Sequence, residues 1–319
     1  MDKHNESVPK EQFKTLIGGQ ALIEGILMRG PDKQAIVVRS PEGLVKKVED
    51  LKLTAHRSPL ARVPFIRGIF TFGSSMVNGV KALLFSADYY PDEDEPAEPS
   101  RFERWIEKRF GSEKLEQFLI YSAVVLGIGF SVGLFILLPT LLTGLIPPLR
   151  ENLMARNLCE GLLKIALFMG YMILVSRLKD MRRVFSYHGA EHKTIRCYEA
   201  RLPLTVENVR PMIRFHPRCG TSFLLVVVCI SILCGALIQV SNTWARMGLH
   251  LLMLPVIVAI SYEINRFAGR HDNWFTRILT KPGLWMQRFT TNEPDDSMIE
   301  VAIEAMKEVI PEEEGADRW

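Results

Sequence analysis

The chain alternates between long stretches without charge and stretches dense in charge. Phe118 to Leu149 holds no charged side chain. Crossing a bilayer takes about 20 apolar residues, so this run predicts a transmembrane helix, ended by Pro147-Pro148. Leu162 to Ser176 is shorter and carries Lys164 near one end, where a lysine can snorkel to the interface. Cys219 to Ala245 is uncharged around an apolar heart, Phe223 to Val240. Met247 to Tyr262 is uncharged with one histidine, His250. The pattern predicts an α-helical integral membrane protein with about four spans, at 118–146, 160–177, 222–241 and 247–264.

The polar stretches predict soluble parts. Residues 14–87 read as a small α+β head. Ala35 to Arg39 and Leu44 to Val48 alternate like two short strands, with Ser40-Pro-Glu-Gly43 as the turn between them. Val63 to Ala87 is apolar with charges only at Arg67 and Lys81. It predicts either an interfacial helix on the membrane face or a helix buried in the head. Residues 88–100 form an acidic linker: Asp88 to Pro99 has six acids, three prolines and no base. Residues 101–117 have mixed charge and predict an interfacial helix leading into a membrane domain at 101–264. Residues 265–319 form a polar tail. In it Ser297-Met-Ile-Glu300 matches a capping box that opens an amphipathic helix, Met298 to Ile310.

Charge sets the orientation. The loop at 177–222 concentrates Arg177, Lys179, Arg182, Arg183, Lys193, Arg196, Arg201, Arg210, Arg214 and Arg218. The loops on the other side hold only Arg150, Arg156 and Arg246. Cytoplasmic loops carry the lysine and arginine excess. The 177–222 loop is therefore expected in the cytoplasm, and with four spans both termini are too. This bias accounts for the arginines without a nucleic-acid partner, and a net charge of only +3 agrees. Apolar residues at 48% exclude a disordered chain, and charged residues at 24% exclude a protein buried wholly in lipid. Five cysteines, two of them inside an apolar run, do not form a secreted disulfide framework. The N-terminal MDKHNESVPKEQFK has no apolar core, so no cleaved signal peptide is expected.

The chemistry gathers in the charged loop, at Tyr187-His-Gly-Ala-Glu-His-Lys193. In a helix His188 and His192 stand at i and i+4, so both imidazoles can converge on one metal ion. Glu191 flanks that face, Glu199 returns to it and Cys197 points away. The order H-x-x-E-H is that of inverted zinc peptidases. Phe215-His-Pro-Arg-Cys-Gly-Thr-Ser222 adds His216 and Cys219, and Thr221 or Ser222 can cap the third span. His188, His192, His216 and Cys219, with Glu199 as a further donor, make a plausible tetrahedral zinc set. Four bound donors would be a closed structural site; three would leave a position for water, with Glu191 or Glu199 able to act as general base, and Glu191 is the expected one. A Cys219 thiolate nucleophile is a third alternative. Glu24 lies in an apolar segment where a carboxylate wants a partner, which Arg29 can supply. Glu24, Glu263 and His271 are candidates for supporting positions around the ligands. His250 reads as a helix-packing residue. With no other ionisable residue well inside the spans, a transporter is disfavoured.

Several long motifs, Gly18 to Pro31, Tyr187 to Lys193, Phe215 to Phe223, Ser261-Tyr-Glu263 and Pro282 to Pro294, together resemble the YqhQ-like family of bacterial and plastid membrane proteins. The resemblance covers about 15–310. It implies a bacterial cytoplasmic-membrane protein and a metal-dependent enzyme, and names no substrate. The expectation is a zinc-dependent enzyme of hydrolase type at the cytoplasmic membrane surface, acting on a lipid headgroup or a membrane-proximal peptide. The alternative is a non-catalytic scaffold or assembly factor with a structural metal. The oligomeric state is not legible.

Overall fold

The computed structural model describes residues 13–51, 63–90, 109, 112–271 and 273–318. Most of the linker and most of 101–117 fall outside these residues. The described chain is mainly helical, with one small antiparallel sheet.

The sheet has the order β1 (Gly18–Leu22), β2 (Gly25–Arg29), β3 (Lys33–Ser40), β4 (Gly43–Asp50). The β3–β4 hairpin lies where the alternation puts it, with Ser40 paired to Gly43 across Pro41-Glu42. β1 and β2 have no counterpart among the strands expected from the sequence. β2 is buried along most of its length, so it reads as a continuous apolar run rather than as an alternation. The two join through Ile23-Glu24, and Glu24 takes a positive φ of 49°.

The helices of eight residues or more are α1 (Ile66–Ala87), α2 (Ser112–Val132), α3 (Leu138–Leu145), α4 (Leu153–Val175), α5 (Lys179–Glu199), α6 (Gly220–Ala236), α7 (Thr243–Arg270), α8 (Trp274–Thr290) and α9 (Asp296–Lys307). A π-helical turn at Gly133–Leu137 joins α2 to α3. Four helical stretches are long and apolar enough to cross a membrane: Ile66–Ala87, Phe118–Leu145, Leu153–Val175 and Thr243–Arg270. They differ from the four expected spans at two places. α1 qualifies, while Phe223–Ala236 is apolar but short. In α1 only Gly68, Gly79, Ala82 and Ser86 are buried, which overturns the alternative of a helix buried in the head.

The chain divides into two compact units. One holds residues 1–90, 170–230 and 255–319. Its core lies between one sheet face (Ile26, Met28, Ala35, Val37), α5 (Tyr187, Ala190, Ile195) and α9 (Val301, Ala302, Met306). The other face (Leu22, Leu27, Ile36, Val38) packs on Ala82 and Phe85 of α1. α1 is also held at its start, where Gly68 lies against the Tyr262 ring of α7. α9 is capped by Asp295, whose carboxylate accepts from the Met298 N–H at 3.0 Å. Ser297 is therefore not the cap, and its expected box partner Glu300 pairs with Arg39 at 3.0 Å.

The other unit holds residues 91–169 and 231–254. Its centre is polar, against the expectation. Glu160 accepts from Arg246 Nε at 3.0 Å and Thr140 Oγ1 at 2.8 Å, and lies 2.7 Å from His250 Nε2. Lys164 is 3.3 Å from the same carboxylate and is buried, so it does not snorkel. Arg156 and Arg246 are fully buried. They donate to backbone carbonyls, Arg156 to those of Thr140 and Ser241 and Arg246 to those of Gly235 and Ile238. Gly235 and Ile238 lie at and just past the C-terminal end of α6, where a cation is favoured.

Candidate functional site

α5 carries Tyr187 and Ala190 into the core, which fixes the helix rotation and turns His188 and His192 to a different side. Gly189, between them, is required there. A Cβ would collide with the carbonyl oxygen of Asn292, and that carbonyl belongs to the segment following α8. The segment is tied down by Asn292 N–H donating to the Phe185 carbonyl at 2.8 Å.

This docking orients the first ligand. His188 Nδ1 lies 2.8 Å from the Thr290 carbonyl oxygen. His192 Nδ1 lies 2.6 Å from the Arg214 carbonyl oxygen. A carbonyl can only accept, so both Nδ1 atoms carry the proton and both Nε2 atoms present lone pairs. His188 Nε2 faces Cys219 Sγ at 3.2 Å. His192 Nε2 is buried without a hydrogen-bond partner. The ligand atoms of His188, His192 and Cys219 all lie within 4.8 Å of one another. A second group fixing each imidazole is the usual arrangement of metal-ligating histidines.

The electrostatics suit ligation. Burial pushes His192 down to about 4, so it is neutral at physiological pH. Burial also opposes ionisation of Cys219, but the thiol is held below its ordinary range, with the Thr221 hydroxyl and N–H favouring the thiolate. Thr221 N–H donates to the sulfur at 3.4 Å.

Glu191 lies beside this cluster beneath β1. Burial pushes its carboxyl up to about 7, against a hydrogen bond from the Gly19 backbone. One of its oxygens, Oε2, is buried without a partner. A cavity of about 120 Å³ is bounded by Glu191, His192, Cys219, His216 and Arg218 together with β1. A carboxyl poised near neutrality beside two imidazoles and a thiol can take up or release a proton there.

The remaining expected donors are held by other partners. His216 is buried, but its Nε2 faces Glu199 at 3.2 Å rather than the cluster. Glu199 accepts from the Thr15 N–H at 2.9 Å and pairs with Arg218, so its oxygens are committed. Burial raises Glu199, against the pull of Arg218, and burial holds His216 well below its usual range. Of the supporting candidates, Glu24 bonds Arg183 at 2.6 Å and the Tyr187 hydroxyl at 3.1 Å. Its partner is thus Arg183 and not Arg29. Glu263 pairs with Arg67 at 2.7 Å. His271 is exposed, bonded to the Phe267 carbonyl and stacked on the Phe267 ring. None of the three meets the His–Cys cluster.

Residues 63–312 match DUF1385, described as a protein of unknown function. The chain belongs to the DUF1385 family. An "Uncharacterized protein YqhQ" of Bacillus subtilis (strain 168) is 35% identical over 310 residues, 94% of each chain. No solved structure matches the chain. The DUF1385 match names no chemistry, so the chemistry rests on the geometry above.

Sequence reasoning missed the residues that frame the cluster. Gln287 holds the backbone of His216 from both sides, accepting from its N–H and donating to its C=O, each at 2.8 Å. Arg218, Thr290 and the Arg214 carbonyl also went unassigned. Their signal was present in the long motifs Phe215 to Phe223 and Pro282 to Pro294, but backbone carbonyls leave no residue-type signature.

Proposed function

We propose that this DUF1385 protein is a membrane protein with a metal-dependent, hydrolase-type activity on the cytoplasmic side of the cell membrane. The observation that carries the reading is the pair of imidazoles whose Nδ1–H groups are taken by carbonyls while both Nε2 atoms turn toward Cys219. Two nitrogens and one thiolate suit zinc and leave one tetrahedral position open. A zinc ion there would supply Lewis acidity at a membrane-facing surface. His188, His192 and Cys219 would hold it; Glu191 would accept the proton of an attacking water and return it to the leaving group.

The membrane reading is supported by large apolar side chains that stand exposed on the long helices, among them Leu126, Phe130, Leu162, Leu174 and Leu252. Topology narrows it. β1–β4, α5 and α9 share one core and so lie on one side. The chain between them must then cross an even number of times. α2–α3 with α4, and α6 with α7, give two such pairs. α1 is left as an interfacial helix, held at both ends by its own unit. The arginine excess of 177–222 supports the cytoplasm as that side, termini included.

One observation favours a second reading, a scaffold with a structural metal. The cavity beside the ligands, 120 Å³, is well below the roughly 300 Å³ of a typical ligand pocket. The two readings separate in one experiment. Metal-loaded protein is incubated with phospholipid vesicles and with membrane-proximal peptides, beside Glu191→Gln. Hydrolysis by wild type, lost in Glu191→Gln at unchanged metal content, supports the enzyme. Retained activity in the variant removes Glu191 from its role, and no turnover by loaded wild type transfers the case to the scaffold.

A further inference from the structure

The small cavity has a larger neighbour. A hollow of about 290 Å³ lies between the α1 face of the sheet and α1 itself. Leu16, Gly18 and Gly19 line both hollows, so one short glycine-bearing strand is their common wall. Gly19 must stay bare, since a Cβ would lie 2.6 Å from the Leu27 carbonyl oxygen and 3.0 Å from the Glu191 carboxyl carbon.

The chemistry of this hollow is one-sided. Among the described residues that line it Arg29 is the single charged one, and none is acidic. The rest of the polar lining is neutral: Gln20, Gln34, Ser75 and Asn78. The Arg29 guanidinium is half-buried and has no hydrogen bond or ion pair among the described residues. Most other half-buried arginines of this unit are paired, Arg39 with Glu300, Arg67 with Glu263 and Arg214 with Glu293. Burial acts on Arg29 in the direction that disfavours its charge, with Tyr262 opposing it. The buried Gln34 Oε1 also lacks a partner, while its Nε2 is held by Glu49 at 2.7 Å. An acceptor facing a hollow suits the hydroxyl of a monoester or a glycerol.

We propose that this hollow binds a phosphate group, with the Arg29 fork on its oxygens and Ser75 and Asn78 of α1 as neutral donors. A guanidinium meets a phosphate through two parallel hydrogen bonds, a geometry that an ammonium cannot supply. The volume holds a phosphate and a short attached alcohol, near the low end of ligand pockets. The proposal rests on the metal-centre reading only for the fate of the ligand. It adds a substrate class to that reading, phosphate esters, presented one strand away from Glu191. The phosphate can come from a lipid headgroup, since α1 exposes Ile69, Phe70, Met76 and Val77, or from a soluble ester.

The test is binding by the full chain in a neutral, phosphate-free detergent, stripped of metal so that failure of the metal reading does not touch it. Inorganic phosphate, short-chain phosphatidic acid and short-chain phosphatidylcholine are titrated separately by calorimetry. Saturable binding of phosphate or phosphatidic acid is expected, about tenfold or more weaker in Arg29→Gln and only partly restored in Arg29→Lys. Asn78→Leu narrows the hollow from α1 without touching the sheet core and is expected to weaken the same binding. Comparable affinity for phosphate and phosphatidic acid identifies a soluble ester; phosphatidic acid binding without free phosphate binding identifies a lipid. Wild-type titrations that do not saturate in any arm, or Arg29→Gln binding as wild type does, overturn the proposal.

Discussion

His188 Nε2 lies 3.2 Å from Cys219 Sγ, across 31 residues of chain. The contact joins the middle of α5 to the turn before α6. Each partner is placed by a different part of the chain: His188 by the Thr290 carbonyl after α8 and Cys219 by the His216–Thr221 turn.

The first prediction concerns which histidine binds. His192→Ala removes a ligand and should abolish metal retention. His216→Ala leaves His188, His192 and Cys219 in place, so metal stays bound. It removes a buried partner of Glu199 and should cost about 1–3 kcal/mol of stability. Metal analysis beside thermal unfolding separates the two effects.

Gly189→Ala should displace the Asn292 carbonyl and with it the Thr290 carbonyl that orients His188. Overpacking of this kind costs about 1–3 kcal/mol. Metal affinity should fall about 10–100-fold, the usual effect of losing a group that orients a ligand. A metal-competition titration reads it, and Ala190, which already carries a methyl in the core, serves as a comparison site.

How much of this was legible beforehand differs from residue to residue. The i, i+4 pair His188 and His192 and the nearby Cys219 could be read because their spacing is itself the geometry. His216 and Glu199 could not be sorted from them. Helical phase put Glu199 near the right side, but only the Arg218 and Thr15 contacts show that its oxygens are occupied. The β3–β4 hairpin was readable from alternation, whereas β2, buried on both faces, imitates any apolar run. Lys164 misled for a related reason. A lysine near a helix end commonly snorkels, and nothing local reveals that Glu160, Arg246 and His250 meet it in three dimensions.

That buried network gives a further prediction. Glu160 is the anion shared by Lys164, Arg246 and His250. Glu160→Gln leaves buried cations uncompensated and should cost about 3–5 kcal/mol, the usual result of removing one partner of a buried pair. Thermal unfolding in detergent should show the loss with metal content unchanged. A neutral outcome would mean that the backbone carbonyls alone satisfy the arginines.

Topology is checked by single introduced cysteines in a background whose one native cysteine is the buried Cys219. Positions Lys46 and Glu312, on opposite ends of the chain but in one unit, should be labelled from the same side by an impermeant maleimide. Position Asn242, between α6 and α7, should be labelled from the other. Labelling of Lys46 and Glu312 positions from opposite sides would mean that α1 spans the bilayer after all.

The most direct test is the metal content and coordination of the detergent-purified full chain, read by elemental analysis and X-ray absorption, beside His192→Ala and His216→Ala. The account predicts about one zinc per chain, with two nitrogens, one sulfur and a light fourth neighbour, lost in His192→Ala and kept in His216→Ala. Folded wild type without metal, or equal loss in both variants, would contradict it.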